Sequence, residues 1–405
     1  MKPQTQAGRA ARSVDAHLAA VLALAPPAPA VETVPLAEAA ERVLAAAVTA
    51  PWPLPRFANA AMDGYALRWA DLAAAPGGLP VDGRTLAGEA GAPLAPGSAR
   101  RVMTGAPVPA GADTVVPLED AVLADSRVLA PRAAPGRHLR LPGEDVAAGA
   151  VVLAPGVRLG PRHLGAAAAA GVSEVTVAVR PRVAVLATGT ELAAPGEPLG
   201  PAGVTDSNGP YLAAAVPALG GVVVAQERVV DEAAAVLAAL DRAAATADLI
   251  VVAGGASAGD KDLAAELLGG AGAEFVTVAM QPGKPQGAGC WRGVPVLSFP
   301  GNPVSVAVSA AVFLRPLLDA WLGATPPASR WAAVSAGWTS PGGKRQFMPV
   351  SVTEAEGGPT VRPASPGGSG SHLVTSLARA DALAIVPEDV AEVAVGQRLE
   401  LLELL

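Results

Sequence analysis

The chain has 405 residues, 51% hydrophobic, 16% charged and 3% aromatic, with a formal net charge of −7. That length exceeds one compact core and predicts two to four domains, and the acidic balance, with no clustered Lys/Arg face, argues against nucleic acid as a partner. The single cysteine, Cys290, excludes an internal disulfide framework and points to a reducing compartment, the cytoplasm. The four histidines, His17, His138, His163 and His372, lack the spacing of a zinc site.

At the N-terminus, Arg9 and Arg12 followed by LAAVLALA and APA imitate an export signal. Asp15 and His17 interrupt that pattern, and Ser13 is placed to cap a short amphipathic helix that Pro26 and Pro27 stop. The first fifty residues and the stretch LGPRHLGAAAAAGV both read as helical. They are expected to pack together as one discontinuous helical domain, residues 1–51 with 141–178. Between them, residues 52–140 are rich in Pro and Gly with short Val-containing runs, the pattern of an irregular β domain. No run of about 20 bulky apolar residues appears, so no membrane span is expected.

From Pro181 the pattern becomes regular. RVAVLAT, VVVAQERVV, DLIVVAG and VPVLSFPG read as strands. NGPYLAAAVPALGG, DEAAAVLAALDRAAA, DKDLAAELLGG and PVSVAVSAAVFLRPLLDAWL read as helices. Near-continuous Val/Leu/Ile strands alternating with helices predict a parallel, doubly wound α/β domain over 179–326. From about Pro327 onward, TVRPAS, LAIVPE and QRLELLELL predict a small C-terminal β barrel or sandwich, residues 327–405.

In a doubly wound sheet, ligands bind outside the carboxyl ends of the strands. Those ends carry Gly189, Thr190 and Glu191; Asp231; GGASAGDKD with Gly254, Gly255, Ser257, Asp260 and Asp262; and PGNPVS from Pro300 to Ser305. Each has a plain structural reading: Asp231 as a helix cap, Pro303 as a first-turn proline, the glycines as turn residues. Their convergence on one rim favours more. Glycines and helix amides suit an anion, whereas three carboxylates repel one unless a hard cation bridges them. The residues therefore predict a Mg²⁺-dependent site for a phosphorylated ligand, with Lys284 in QPGKPQ as counter-charge. The glycine loop is not a nucleotide-binding P-loop, because no GK[ST] follows.

TGTEL, GGASAGDKD, QPGKPQG and FPGNPVS, in this order, resemble the molybdopterin-binding domain. AMDGYA (61–66), MTGAPVPAGADTVV (103–116), PGEDV (142–146) and GSGSHLVTSLARADALAIVPE extend the resemblance over essentially the whole chain. They narrow it to the molybdopterin molybdenumtransferase family, to which the E domain of gephyrin is related. The resemblance implies an elongated four-domain subunit in a homodimer whose active site is shared between subunits. It implies a reaction in which molybdate and adenylylated molybdopterin yield molybdenum cofactor and AMP with Mg²⁺, and other cofactor-biosynthesis enzymes as possible partners. Carried onto this chain, the metal residues are Glu191, Asp231 and Asp262, and the catalytic set adds Asp63, Thr104 and Asp145 from the neighbouring subunit or the hinge. Substrate contacts fall to Gly254, Gly255, Ser257, Lys284, Pro300, Gly301, Asn302, Pro303 and Ser371. The adenylyltransferase that shares only the α/β domain is the nearest rival, and a non-catalytic scaffold or cofactor carrier is the alternative from another class.

Overall fold

The computed structural model describes residues 11–130, 134–256 and 263–405. Its centre is a six-stranded sheet built where the sequence places its most apolar runs. Arg182–Thr188 lies between Val222–Val229 on one side and Leu249–Ala253 on the other, and Val294–Phe299 continues beyond Leu249–Ala253. These four strands are parallel. Two strands absent from the alternating pattern complete the sheet, Pro285–Trp291 and Glu274–Thr277. Both run antiparallel to their neighbours, so the sheet is mixed at that end.

Both faces are covered. One carries the helices Asn208–Ala218 and Pro303–Leu322 over Val183, Val185, Val251 and Leu297; the other carries Ala233–Thr246 and Leu263–Gly270 over Ala184, Leu186, Ile250 and Val252. Strands buried on both sides need apolar residues throughout, which is why RVAVLAT and LIVVA do not alternate.

Among the described residues one helix, Pro303–Leu322, is long and apolar enough to span a membrane, and 72% of its apolar window is buried inside the protein. It is continuous only through a π-helical turn at Ala310–Leu314. Pro316 has no N–H for the carbonyl four residues back, and the wider turn accommodates that missing bond.

The helical character expected for 1–51 and 141–178 is not what forms. The only α-helix among the described residues before residue 51 is Val14–Leu22, capped by Ser13 through its side chain on the Ala16 N–H (3.1 Å). Val14 and Val21 pack into the α/β core. Beyond the prolines, Val31–Pro35 pairs antiparallel with Glu174–Ala178, and Val48–Thr49 with Val151–Leu153; only Pro161–Ala169 is helical in the second segment. Val and Thr in VETV favour the extended backbone, and closely spaced prolines forbid a helix there. The two segments do pack together, around Leu44, Leu159 and Val177.

Between them, residues 59–129 fold mainly into a second six-stranded sheet, in which Gly64–Leu67 lies between Ala99–Val102 and Thr114–Pro117. The C-terminal strands Arg330–Val334, Arg345–Thr353, Thr360–Pro363, Ala382–Val386 and Arg398–Glu403 close into a five-stranded barrel, because Arg345–Thr353 pairs with both Thr360–Pro363 and Ala382–Val386. The barrel is tied to the α/β unit where Met280–Gln281 adds in parallel to Arg345–Gln346.

One contact fixes the centre of the main sheet. Gly254 leaves its strand at φ +94°, and a Cβ there would stand 2.5 Å from the Thr188 carbonyl oxygen. Gly254→Ala is expected to destabilise the α/β unit by about 1–3 kcal/mol, from strain and overpacking together. Gly270→Ala, whose Cβ meets nothing within 4 Å, serves as the control. Chemical denaturation followed by tryptophan fluorescence checks the pair.

Candidate functional site

The first and third strands of the α/β unit lie side by side while their helices cover opposite faces. A crevice therefore opens at their carboxyl ends, the switch point where such folds bind ligands. Thr188 to Glu191 leaves from one strand and Gly254 and Gly255 from the other, both glycines at positive φ. The third side is Pro300–Pro303. The Phe299 carbonyl accepts from the Gly254 N–H (3.1 Å), and Gly301 is held by Asn208 Nδ2, which donates to its carbonyl at 2.7 Å.

Thr190 knits two strand ends together. Its N–H donates to Asp231 Oδ2 (3.3 Å), and its Oγ1 accepts from the Asp231 N–H (3.1 Å). The Glu191 carboxylate folds back over Gly189, where a Cβ would stand 2.8 Å from Oε2. Both carboxylates are exposed, and among the described residues neither is ion-paired. Two hard oxygen donors on adjacent strand ends, free of a cationic partner, are the donor chemistry Mg²⁺ takes. Among the described residues they are not joined by a third candidate ligand into a metal cluster. Ser257, Asp260 and Asp262 lie outside the described residues.

Two further segments reach this rim. Lys284 is exposed on the turn that precedes Pro285–Trp291, at the end of that strand paired beside the carboxyl terminus of Val294–Phe299. From the barrel, the Ser371 carbonyl accepts from the Val304 N–H (3.0 Å), seating the GSGS loop on the first turn of the helix that follows PGNP. Glu191, Asp231, Gly254, Gly255, Lys284, Pro300, Gly301, Asn302, Pro303 and Ser371 thus share one rim.

Sequence reading missed two residues there. Asp206 is buried and accepts from the Asn208 and Gly209 N–H groups (3.0 and 2.9 Å), capping the helix Asn208–Ala218, while Asn208 grips Gly301. The signal was present as TDSNG, an Asp-Ser-Asn run immediately before a helix.

The remaining residues stand elsewhere in the chain. Asp63 Oδ1 accepts from the Thr104 N–H (2.7 Å) and the Thr104 hydroxyl (2.8 Å). These two bonds, with Arg101 nearby, hold the Asp63 carboxyl below its ordinary value. Asp145 lies on a loop whose backbone bonds to Leu54, and Leu139–Arg140 just before it pairs with Asn59–Ala60. The hydrogen bonds of Asp63 and Thr104 stay within the small β unit, and those of the rim within the α/β unit and the barrel. Two cavities also stand away from the rim. One of about 320 Å³ is lined by apolar residues such as Leu72 and Val122, and one of about 490 Å³ lies between Arg158, Arg315 and Asp319. Neither is lined by Glu191, Asp231, Gly254, Gly255, Lys284, Ser371 or any residue of Pro300–Pro303.

Fold and rim define a multidomain α/β protein with a doubly wound ligand-binding unit flanked by two β units. Residues 12–171 match the MoeA N-terminal region (domain I and II), 184–320 the probable molybdopterin binding domain, and 332–404 the MoeA C-terminal region (domain IV). The chain belongs to the MoeA family of molybdopterin molybdenumtransferases. It is 46% identical over 388 residues to molybdopterin molybdenumtransferase 2 of Mycobacterium tuberculosis, covering 92% of this chain and 95% of that one. It is 40% identical over 305 residues to the molybdopterin molybdenumtransferase of Synechococcus elongatus, covering 72% and 75%. A crystal structure of the molybdopterin biosynthesis moeA protein from Pyrococcus horikoshii OT3 matches with a TM-score of 0.81 at 26% identity, over 97% of this chain and 99% of that one.

Thr104→Val removes one of the two donors to Asp63 and leaves the backbone donor. The Asp63 carboxyl is expected to titrate at higher pH in the variant, back toward the ordinary aspartate range. Because the folded value is depressed, these bonds contribute at neutral pH and are lost as pH falls through it. Carboxyl ¹³C titration by NMR measures the displacement, and an unchanged midpoint removes the hydroxyl from the account.

Proposed function

We propose that this chain is a molybdopterin molybdenumtransferase, inserting molybdenum from molybdate into adenylylated molybdopterin with Mg²⁺-dependent release of AMP. The observation that carries the reading is the convergence of Glu191, Asp231, Gly254, Gly255, Lys284 and Ser371 on one switch-point rim, in a chain of this family. Ser257 and Asp262 belong to the same proposal, as phosphate and metal contacts on the glycine loop.

The roles follow from chemistry. The turn at Gly254 and Gly255, free of side chains, lets a phosphate approach the main chain closely, although the Gly254 N–H itself is held by the Phe299 carbonyl. Pro300 to Pro303 shapes the wall beside it, stiffened by proline and by the Asn208 bond to Gly301. Lys284 supplies the fixed positive charge that a substrate bearing phosphates and an incoming oxyanion both need. Glu191 and Asp231, with Asp262, would hold Mg²⁺, which when bound supplies Lewis-acid stabilisation of the charge on the departing AMP. Asp63, kept anionic by Thr104, is a base or positioning carboxylate for the reacting end of the substrate, and Asp145 is assigned to the same half-site.

A homodimer with a site shared between subunits is part of the proposal. In keeping with it, the hydrogen bonds of the Asp63–Thr104 pair and those linking Thr190 to Asp231 have no residue in common within one chain. Other enzymes of cofactor biosynthesis are expected partners upstream and downstream. A cytoplasmic location agrees with the free, exposed Cys290.

Two variants test the assignment together: Asp63→Asn and Glu191→Gln are each expected to abolish AMP release from adenylylated molybdopterin at limiting Mg²⁺. Co-expressed so that subunits pair at random, half the dimers are mixed and each mixed dimer has one intact site. Roughly a quarter of wild-type activity is therefore expected to return. Native mass spectrometry confirms the mixed species. Activity no higher than that of either variant alone rules out the shared site, and normal AMP release in Glu191→Gln removes the metal assignment.

A further inference from the structure

The side chain of Gln286 is fully buried at 0% exposure, yet it touches two of the segments that form the rim. Its Nε2 donates to the Gly283 carbonyl at 2.7 Å and to Ser309 Oγ at 2.7 Å, while Oε1 is buried without a donor. The Gly283 carbonyl can only accept, so the amide nitrogen must be the end that faces it. Gly283 belongs to the turn that carries Lys284. Ser309 is the last residue before the π-helical turn, in the segment Pro303–Ser309 that opens the long helix, whose first turn holds Ser371 and follows Pro300–Asn302. A Cβ at Gly283 would come within 3.4 Å of both Gln286 Nε2 and Ser309 Oγ, so the turn sits directly on the helix.

Packing alone gives no reason for a carboxamide at this place. Methionine would fill much the same volume without burying an oxygen that finds no donor. Only the two hydrogen bonds distinguish glutamine from methionine here, and both act on the Lys284 turn. The Lys284 side chain is exposed, has four rotatable bonds, and is not ion-paired among the described residues. Its ammonium is placed only as well as its backbone is held.

We propose that Gln286 is a positioning residue. It locks the Gly283–Lys284 turn onto the helix Pro303–Ser309 and thereby fixes where the Lys284 ammonium meets an anionic substrate group. The inference rests on the proposed activity only in taking adenylylated molybdopterin as the anion. Catalytic and binding groups displaced by about 1 Å lose up to a hundred-fold in effect, so a loosened turn is measurable.

The test uses Gln286→Met, Ser309→Ala, Lys284→Ala and the double variants of Lys284→Ala with each of the first two. Binding of adenylylated molybdopterin is followed without Mg²⁺ by quenching of pterin fluorescence, beside thermal melts of each protein. Gln286→Met is expected to melt within a few degrees of wild type and to bind roughly ten-fold more weakly, with Ser309→Ala weakened in the same direction. Because Gln286 acts through Lys284, the double variant is expected to bind no more weakly than Lys284→Ala alone. Additive losses in the double variant, or wild-type binding by Gln286→Met, overturn the proposal. Should Gln286→Met fail to fold, the cycle of Ser309→Ala with Lys284→Ala measures the same coupling, and additive losses there overturn the proposal equally. Wild-type protein that binds this probe but releases no AMP with Mg²⁺ and molybdate overturns the activity and leaves the role of Gln286 standing.

Discussion

The rim depends on one topological constraint, that Arg182–Thr188 pairs in parallel with two strands that follow it in sequence on opposite sides. The chain leaves this strand toward one face to form Asn208–Ala218 and later leaves Leu249–Ala253 toward the other. No connection can then cross the space between Thr188 and Gly254. The gap is kept narrow by glycine: at Gly254 the backbone passes so close to the Thr188 carbonyl that no side chain fits. A crevice bounded by main chain on both walls offers amides to an anion without the steric bulk of side chains.

The helix Pro303–Ser309 organises the other half of the site. Its preceding residues form the PGNP wall, its Val304 N–H donates to Ser371 of the barrel, and its Ser309 seats the Lys284 turn through Gln286. The barrel is therefore more than an appendage. Gln346, buried and accepting from Trp338 Nε1, donates to Ser369 Oγ and steadies the GSGS loop, while its neighbour Arg345 pairs with Asp15 and Glu388. The contacts that bring Ser371 and Asp15 to their partners join segments far apart in sequence, so the rim is assembled only when the barrel and the α/β unit are docked.

How much of this the sequence discloses depends on where the determining physics lies. Strands buried on both faces announce themselves as unbroken apolar runs, and RVAVLAT, LIVVA and VPVLSF fold where those runs fall. The antiparallel strand Pro285–Trp291, PQGAGCW, gives no such signal. It is rich in glycine because its neighbours crowd it: a Cβ at Gly289 would lie 2.4 Å from the Ala273 Cα. The helical reading of the first fifty residues holds for Val14–Leu22 but not beyond the prolines, because the pairing that fixes Val31–Pro35 comes from Glu174–Ala178, far along the chain. The candidate acids and glycines stand out in the sequence because they follow strands. Asp206, Asn208 and Gln286 were not singled out, since their importance lies in what they hold rather than in any motif.

Asp63 and the Glu191–Asp231 pair sit in two different electrostatic environments. Asp63 is bound by two donors from Thr104 that favour its charged form, so it needs no cation to remain ionised. Glu191 and Asp231 are held differently. The fold brings them to adjacent strand ends beside amides suited to phosphate, where two negative charges and an anionic ligand repel one another unless a cation intervenes. A carboxylate stabilised by hydrogen bonds can act on substrate atoms directly, whereas a pair short of counter-charge is better suited to binding a metal. A base or orienting carboxylate is of use only at the reacting end of a ligand, so under the proposed function Asp63 and the Glu191–Asp231 pair have to meet along one substrate molecule.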